Sequence, residues 1–121
     1  PINQGQMDRW NIVASLGYLS EADEVKVIAG KVAELSAGKQ KDVLKQMIAL
    51  ANLTRHGFMN GDITTVMSPR TVISWAENLA IFADVHAAFR FSFFNKCDEN
   101  EKPIIAEYYQ RIFNHELQGA V

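Results

Sequence analysis

The sequence predicts a mainly α-helical domain preceded by a single β-strand. Three observations carry that expectation. From Ser20 onward, apolar residues recur at helical spacing through five segments. Several of those segments are announced by capping signals, the clearest being Ser68-Pro69 before Arg70-Thr71-Val72. Between Trp10 and Tyr18 the pattern changes to alternation: Trp10, Ile12, Ala14, Leu16 and Tyr18 against Asn11, Val13, Ser15 and Gly17. A period of two is the mark of a strand.

In chain order, residues 1–9 are polar and support at most a short helix before the alternating stretch. A lone strand leaves its backbone groups unpaired, and nothing else in the sequence offers it a partner. The expectation is therefore that the chain is a piece cut from a longer protein, with the rest of its sheet upstream of Pro1. Ser20 is a preferred N-cap, and Glu21, Asp23 and Glu24 place negative charge in the first turn, where the helix dipole favours it. Val25, Ile28, Val32 and Leu35 continue that helix to a stop near Ser36–Gly38. A longer helix is expected from about Lys39 to Asn60, its stripe marked by Val43, Met47, Leu50, Ala51 and Phe58. Gly57 weakens it locally, and Asn60-Gly61 is a good terminator.

A loop, Asp62 to Met67, leads to the Ser68 cap. Pro69 falls at the first helical position, where its missing N–H costs nothing, and Met67 and Val72 stand as a hydrophobic staple. That helix runs to about Ala83, burying Val72, Trp75, Leu79 and Phe82. Asp84 caps a fourth helix, in which Phe89, Phe91, Phe93 and Phe94 leave little polar surface, so it is expected to be the central, most buried one. Asp98-Glu99-Asn100-Glu101 has the form of a capping box before a last helix with Pro103 in its first turn.

Composition narrows the function. The chain has 121 residues, enough for one core, and 48% hydrophobic with 21% charged residues is a globular mixture rather than a disordered one. A net charge of −2 argues against a nucleic-acid surface. The single cysteine, Cys97, excludes an intramolecular disulfide and fits a reducing compartment. No signal peptide or bilayer-length apolar run is recognisable, and Leu79–Phe94 is interrupted by Asp84, His86 and Arg90, so the cytoplasm is the expected location and no membrane partner is expected.

Few motifs carry chemistry. Asn95-Lys96-Cys97-Asp98 matches the N-K-x-D guanine signature, but the phosphate loop that must accompany it is absent, and the segment reads as a helix end. His56, His86 and His115 fall on three different predicted helices without metal-ligand spacing, so no metal site is expected. His86 and Arg90 share a helix face, an arrangement more typical of a boundary contact than of a site. Two arginines stand out. Arg70 lies in a first turn where free N–H groups and the dipole favour an anion, and its planar fork suits phosphate oxygens. It equally suits a solvated first-turn residue. Arg9, just before the alternating stretch, would on its own pair with Asp8 or Glu24 at the surface, which contributes little.

These arginines, with Asn3-Gln4-Gly5-Gln6-Met7-Asp8-Arg9-Trp10, Asn60-Gly61-Asp62, Met67-Ser68-Pro69-Arg70-Thr71-Val72-Ile73, Trp75-Ala76-Glu77-Asn78, Phe93 to Glu99 and Ala106 to Arg111, resemble the end of the AAA+ ATPase subunits of aerobic cobaltochelatases. The MoxR and magnesium-chelatase ATPases look similar more weakly, mainly at Asp8-Arg9 and Ser68-Pro69-Arg70. The resemblance implies that residues 1–19 end the αβα nucleotide-binding core and residues 20–121 form the helical lid. It implies that Arg70 is the sensor 2 arginine, reaching the γ-phosphate in its own subunit with Ser68 and Pro69 beside it. Arg9 would be the arginine finger, pointing into the neighbouring site of a homo-oligomeric ring, a hexamer by the resemblance. Asp8 would orient that finger or simply edge the sheet.

ATP and Mg2+ would be the cofactors of the full-length protein, and CobT-like and CobN-like chelatase subunits its partners. The implied reaction is ATP-driven cobalt insertion into hydrogenobyrinic acid a,c-diamide. The family's Walker A and Walker B motifs do not stand in this sequence, so the chain by itself is expected to be inactive. The family places corrinoid and metal on a separate large subunit. Two other readings stay open: a helical protein-interaction module, and the lid of another MoxR-like ATPase that remodels a metalloprotein.

Overall fold

The computed structural model describes residues 8–9, 11–13 and 20–117. Five helices follow one another from Ser20: α1 (Glu21–Lys31), α2 (Gly38–Met59), α3 (Pro69–Phe82), α4 (Val85–Ser92) and α5 (Lys102–Phe113). Short 3-10 turns occupy Ala33–Leu35 and Phe94–Lys96. No strand is present among the described residues. The mainly helical class is as the periodicity predicts. The strand is not: Asn11, Ile12 and Val13 are helical, as are Asp8 and Arg9. The rest of the predicted strand, Trp10 and residues 14–18, lies outside the described residues. Helical backbone closes its own hydrogen bonds, whereas no partner strand is present among the described residues to close a ladder.

Local capping chemistry sets three of the helix starts as expected. Ser20 Oγ accepts from the Asp23 amide at 3.2 Å, Ser68 Oγ from the Thr71 amide at 3.2 Å, and Asp84 Oδ1 from the His86 amide at 3.0 Å. The fourth expectation fails. Glu101 is the N-cap of α5 but makes no side-chain cap bond, because its carboxylate is committed elsewhere. α1 also stops earlier than expected, at Lys31, where Val32 turns extended and the 3-10 turn completes the apolar run.

The central helix is α2, not α4. It touches α1, α3 and α5, so it buries residues on more than one face: Leu44, Met47, Ile48, Leu50 and Ala51 in its middle, then Asn52, Thr54, Arg55, Gly57 and Phe58. α4 is only eight residues long, and Phe91 on it is 61% exposed. Its inward face meets α3 and α5 in an aromatic cluster. Trp75 lies 4.9 Å from Phe89, and Tyr109 lies 4.5 Å from both Phe89 and Phe113, ring centre to ring centre. Trp75 keeps its indole N–H satisfied through the Val85 carbonyl at 3.0 Å. Each fully buried aromatic of this kind contributes roughly 1.5–3 kcal/mol.

Gly57, the doubtful residue of α2, has a tertiary reason. A Cβ there would collide with the Tyr108 hydroxyl of α5. The helix continues through Gly57, and the absent side chain lets the two helices approach.

Candidate phosphate-binding turn

α3 begins where the Ser68 cap ends. Pro69 sits in the first turn, Arg70 and Thr71 follow, and Ser68 Oγ also meets Thr71 Oγ1 at 3.1 Å. Pro69 has no N–H and the Thr71 amide is used by the cap, so the Arg70 amide is the first-turn N–H left to face an anion. The Arg70 side chain is exposed and has no ion pair or hydrogen bond among the described residues. No acidic residue stands in that turn to offset its charge against the helix dipole. The turn therefore presents a guanidinium and one backbone donor side by side, a donor set that matches a phosphate group.

The loop that carries this turn is pinned from two sides. Ile63 and Met67 are buried in the core at 1% and 0% exposure. The Glu101 carboxylate, 37 residues further on, accepts from the Thr64 amide at 2.9 Å and from Thr64 Oγ1 at 2.7 Å. Met67, the residue before the cap, has both backbone groups held by α2. Its N–H donates to Thr54 Oγ1 at 3.1 Å, and its carbonyl accepts from Arg55 Nε at 2.9 Å.

Arg55 is itself clamped. Its two terminal nitrogens donate to the two carboxylate oxygens of Glu24 at 2.8 Å each, and Nη1 also donates to Asn52 Oδ1 at 2.8 Å. Asn52 passes the network on to Glu21 Oε1 at 2.8 Å. Glu24 is 0% and Arg55 3% exposed. In the sequence Glu24 reads as a first-turn acid or a surface partner of Arg9, and Arg55 does not stand out. Arg55 lies in the buried stripe of α2 between Ala51 and Phe58, but its acid stands 31 residues earlier, beyond the reach of any local pattern.

Arg9 lies elsewhere. Its guanidinium packs over Gly61, with Cζ 3.8 Å from where a Cβ would stand, and Gly61 has a positive φ of 83°. Gly61 follows Asn60, the C-cap of α2, so the positive charge sits beside the helix end where the dipole favours it. The expected pairing of Arg9 with Glu24 is not made, since both Glu24 oxygens are taken by Arg55.

A separate cavity of about 550 Å3 is lined by Asp84, His86, Arg90, Asn95, His115 and Glu116, among others. No residue of the loop or of the Ser68 turn lines it. Here the structure joins two histidines that the sequence kept apart. His115 follows α5 after a left-handed Asn114, and its ring stacks on His86 at 3.6 Å. His86 Nδ1 also meets the Tyr109 hydroxyl at 2.7 Å. Burial and the neighbouring His115 lower the His86 pKa, with Arg90 adding to the fall and Asp84 opposing it. Among the described residues no cluster of His, Cys, Asp and Glu is arranged to hold a metal ion.

Mainly helical among the described residues, with a capped, arginine-bearing turn opening α3, the chain is consistent with the C-terminal helical lid of an AAA+ ATPase. The family model of the CbbQ/NirQ/NorQ C-terminal region matches residues 25–104, and the chain belongs to that family. It is also 54% identical over 117 residues to the aerobic cobaltochelatase subunit CobS of Sinorhizobium sp, a match that takes in 97% of this chain and 35% of that protein. The chain thus spans about a third of the length of the curated relative it matches. No solved structure matches it. Arg70 and its pinned loop fall inside the family match, whereas Arg9 precedes it. No helix among the described residues is long and apolar enough to cross a membrane.

Proposed function

We propose that this chain is the nucleotide-sensing lid of the ATPase subunit of a cobaltochelatase, and that Arg70 reads the γ-phosphate of ATP in its own subunit. The observation that carries the reading is the exposed Arg70 guanidinium, uncommitted among the described residues, on a rigid turn with one free backbone donor. An Arg placed where charge develops stabilises phosphoryl transfer, and a lid that binds ATP and ADP unequally converts hydrolysis into motion. Arg9 is proposed as the arginine finger acting on the neighbouring subunit of a ring, a hexamer in this reading. It would have to leave its place over Gly61 or act from it. ATP and Mg2+ would be bound chiefly by the remainder of the subunit, which would carry the Walker motifs. CobT-like and CobN-like subunits would be the partners, and cobalt and a corrin such as hydrogenobyrinic acid a,c-diamide the substrates.

The test is Arg70→Ala in the intact subunit that carries this chain. The expected result is retained folding and assembly with ATP turnover reduced roughly 100-fold or more, the scale for losing one preorganised donor to a developing charge. Arg70→Lys should recover only part, because an ammonium lacks the fork. A folded Arg70→Ala subunit with turnover within twofold of the original overturns the reading. So does magnesium-dependent hydrolysis by the pure 121-residue chain. One observation favours an interaction module instead: Ile81, Phe82 and Phe91 expose 73%, 45% and 61% of their surface on neighbouring turns of α3 and α4. In that reading Phe91→Ser would abolish assembly while Arg70→Ala did nothing.

A further inference from the structure

An arginine can serve a phosphate only from a fixed position, and the position of Arg70 is set from another helix. Val72 and Trp75 bury the body of α3, at 0% exposure each. What remains to be decided is where its first turn begins, and Met67 decides it. The Met67 amide and carbonyl are both held by consecutive α2 residues, Thr54 and Arg55. The Thr54 hydroxyl spends its one proton on the Ala51 carbonyl at 2.7 Å, so it faces the Met67 amide as an acceptor. The Arg55 fork is locked by Glu24 and Asn52, so its Nε–H cannot follow a loop that drifts. Neither residue can reach the phosphate itself, since Thr54 and Arg55 are 0% and 3% exposed.

We propose that Thr54 and Arg55 are positioning residues for Arg70, acting through the backbone of Met67; the inference rests on the phosphate-sensing reading of Arg70. A displacement of about 1 Å at a reacting centre can cost as much as 100-fold in rate. Releasing one of the two holds on Met67 should thus lower turnover by roughly 10- to 100-fold with no loss of any group that touches nucleotide.

The experiment uses the intact ATPase subunit and four variants: Thr54→Val, Thr54→Ser, Arg70→Ala and the double Thr54→Val/Arg70→Ala. Three quantities are read: kcat and KM for ATP, the thermal midpoint, and hydrogen exchange at the Met67 amide. Thr54→Val keeps the volume but removes the acceptor; it should lower kcat at least tenfold and speed Met67 exchange by a similar factor. Thr54→Ser restores both to within about twofold. In the Arg70→Ala background, Thr54→Val should cause no further fall in kcat while shifting the midpoint as it does alone.

A role confined to stability predicts the reverse: a shifted midpoint with unchanged kcat, or losses from the two sites that multiply, and either result overturns the proposal. If Thr54→Val does not fold, Arg55→Lys serves in its place. It keeps a charge beside Glu24 but lacks Nε–H, and a folded Arg55→Lys subunit with unaltered kcat overturns the proposal equally. An Arg70→Ala subunit with normal turnover removes the underlying reading and the proposal together. A silent Thr54→Val beside a crippled Arg70→Ala removes the proposal alone.

Discussion

Replacing Arg55 by methionine should be among the most damaging single changes available to this chain. The side chain is 3% exposed and donates to both oxygens of Glu24, to the Asn52 side-chain oxygen and to the Met67 carbonyl. Methionine fills much of the same volume but donates nothing. Glu24, at 0% exposure, then keeps a buried carboxylate without its counter-charge, and breaking such a pair typically costs 3–5 kcal/mol. The orphaned Met67 carbonyl adds about 1 kcal/mol.

With roughly 4 °C of midpoint per kcal/mol for a domain of this size, the expected fall is about 16–24 °C. Guanidinium titration should show the same loss as a lower midpoint at unchanged slope. The double replacement Glu24→Leu/Arg55→Met is the control, because it removes both charges. It should regain most of the stability, since an apolar pair can substitute for a buried ion pair. A single-variant loss under about 1 kcal/mol, the scale of a surface pair, refutes the account of a buried clamp.

Three further outcomes follow from other contacts. Gly57→Ala should destabilise by about 1–3 kcal/mol, although alanine is the better helix former, because its Cβ would collide with the Tyr108 hydroxyl; Gly57→Ala/Tyr108→Phe should recover much of that in the same denaturant titration. Ala83→Gly should stabilise by about 1 kcal/mol, read as a raised midpoint, because Ala83 ends α3 in the left-handed region at φ 56°. The His86 pKa is lowered on folding by burial and by His115, so the folded state binds fewer protons there than the unfolded chain. The resulting stability is fully present above the unfolded value near 6.5 and is lost as the pH falls through the folded value. Melting curves should therefore show a midpoint that declines below about pH 6.5, and His86→Gln should flatten that decline while Asp84, Arg90, His115 and Glu116 are still in place.

How much of this could be read from the sequence follows from the range of each interaction. The caps of α1, α3 and α4 span two or three residues, so Ser20, Ser68 and Asp84 announce them, and the exposed Arg70 turn was legible for the same reason. The alternating stretch after Arg9 shows the limit of local pattern. Periodicity describes which faces are apolar, but a strand also needs a partner, and at Asn11–Val13 the backbone is helical. Phe91 shows the same limit, since apolar composition does not reveal that this face of α4 is left exposed.

The sequence by itself determined the helical class, most helix boundaries to within a few residues, and the turn that carries Arg70. Only the tertiary structure decided what holds that turn. Glu24 and Arg55 are 31 residues apart, Thr54 and Met67 13, and Thr64 and Glu101 37. No local pattern marks Glu24, Thr54, Arg55, Thr64 or Glu101 as partners in a tertiary network. They meet only when α1, α2, α5 and the loop are brought together, because a polar group removed from water must find its partner wherever the packing puts one.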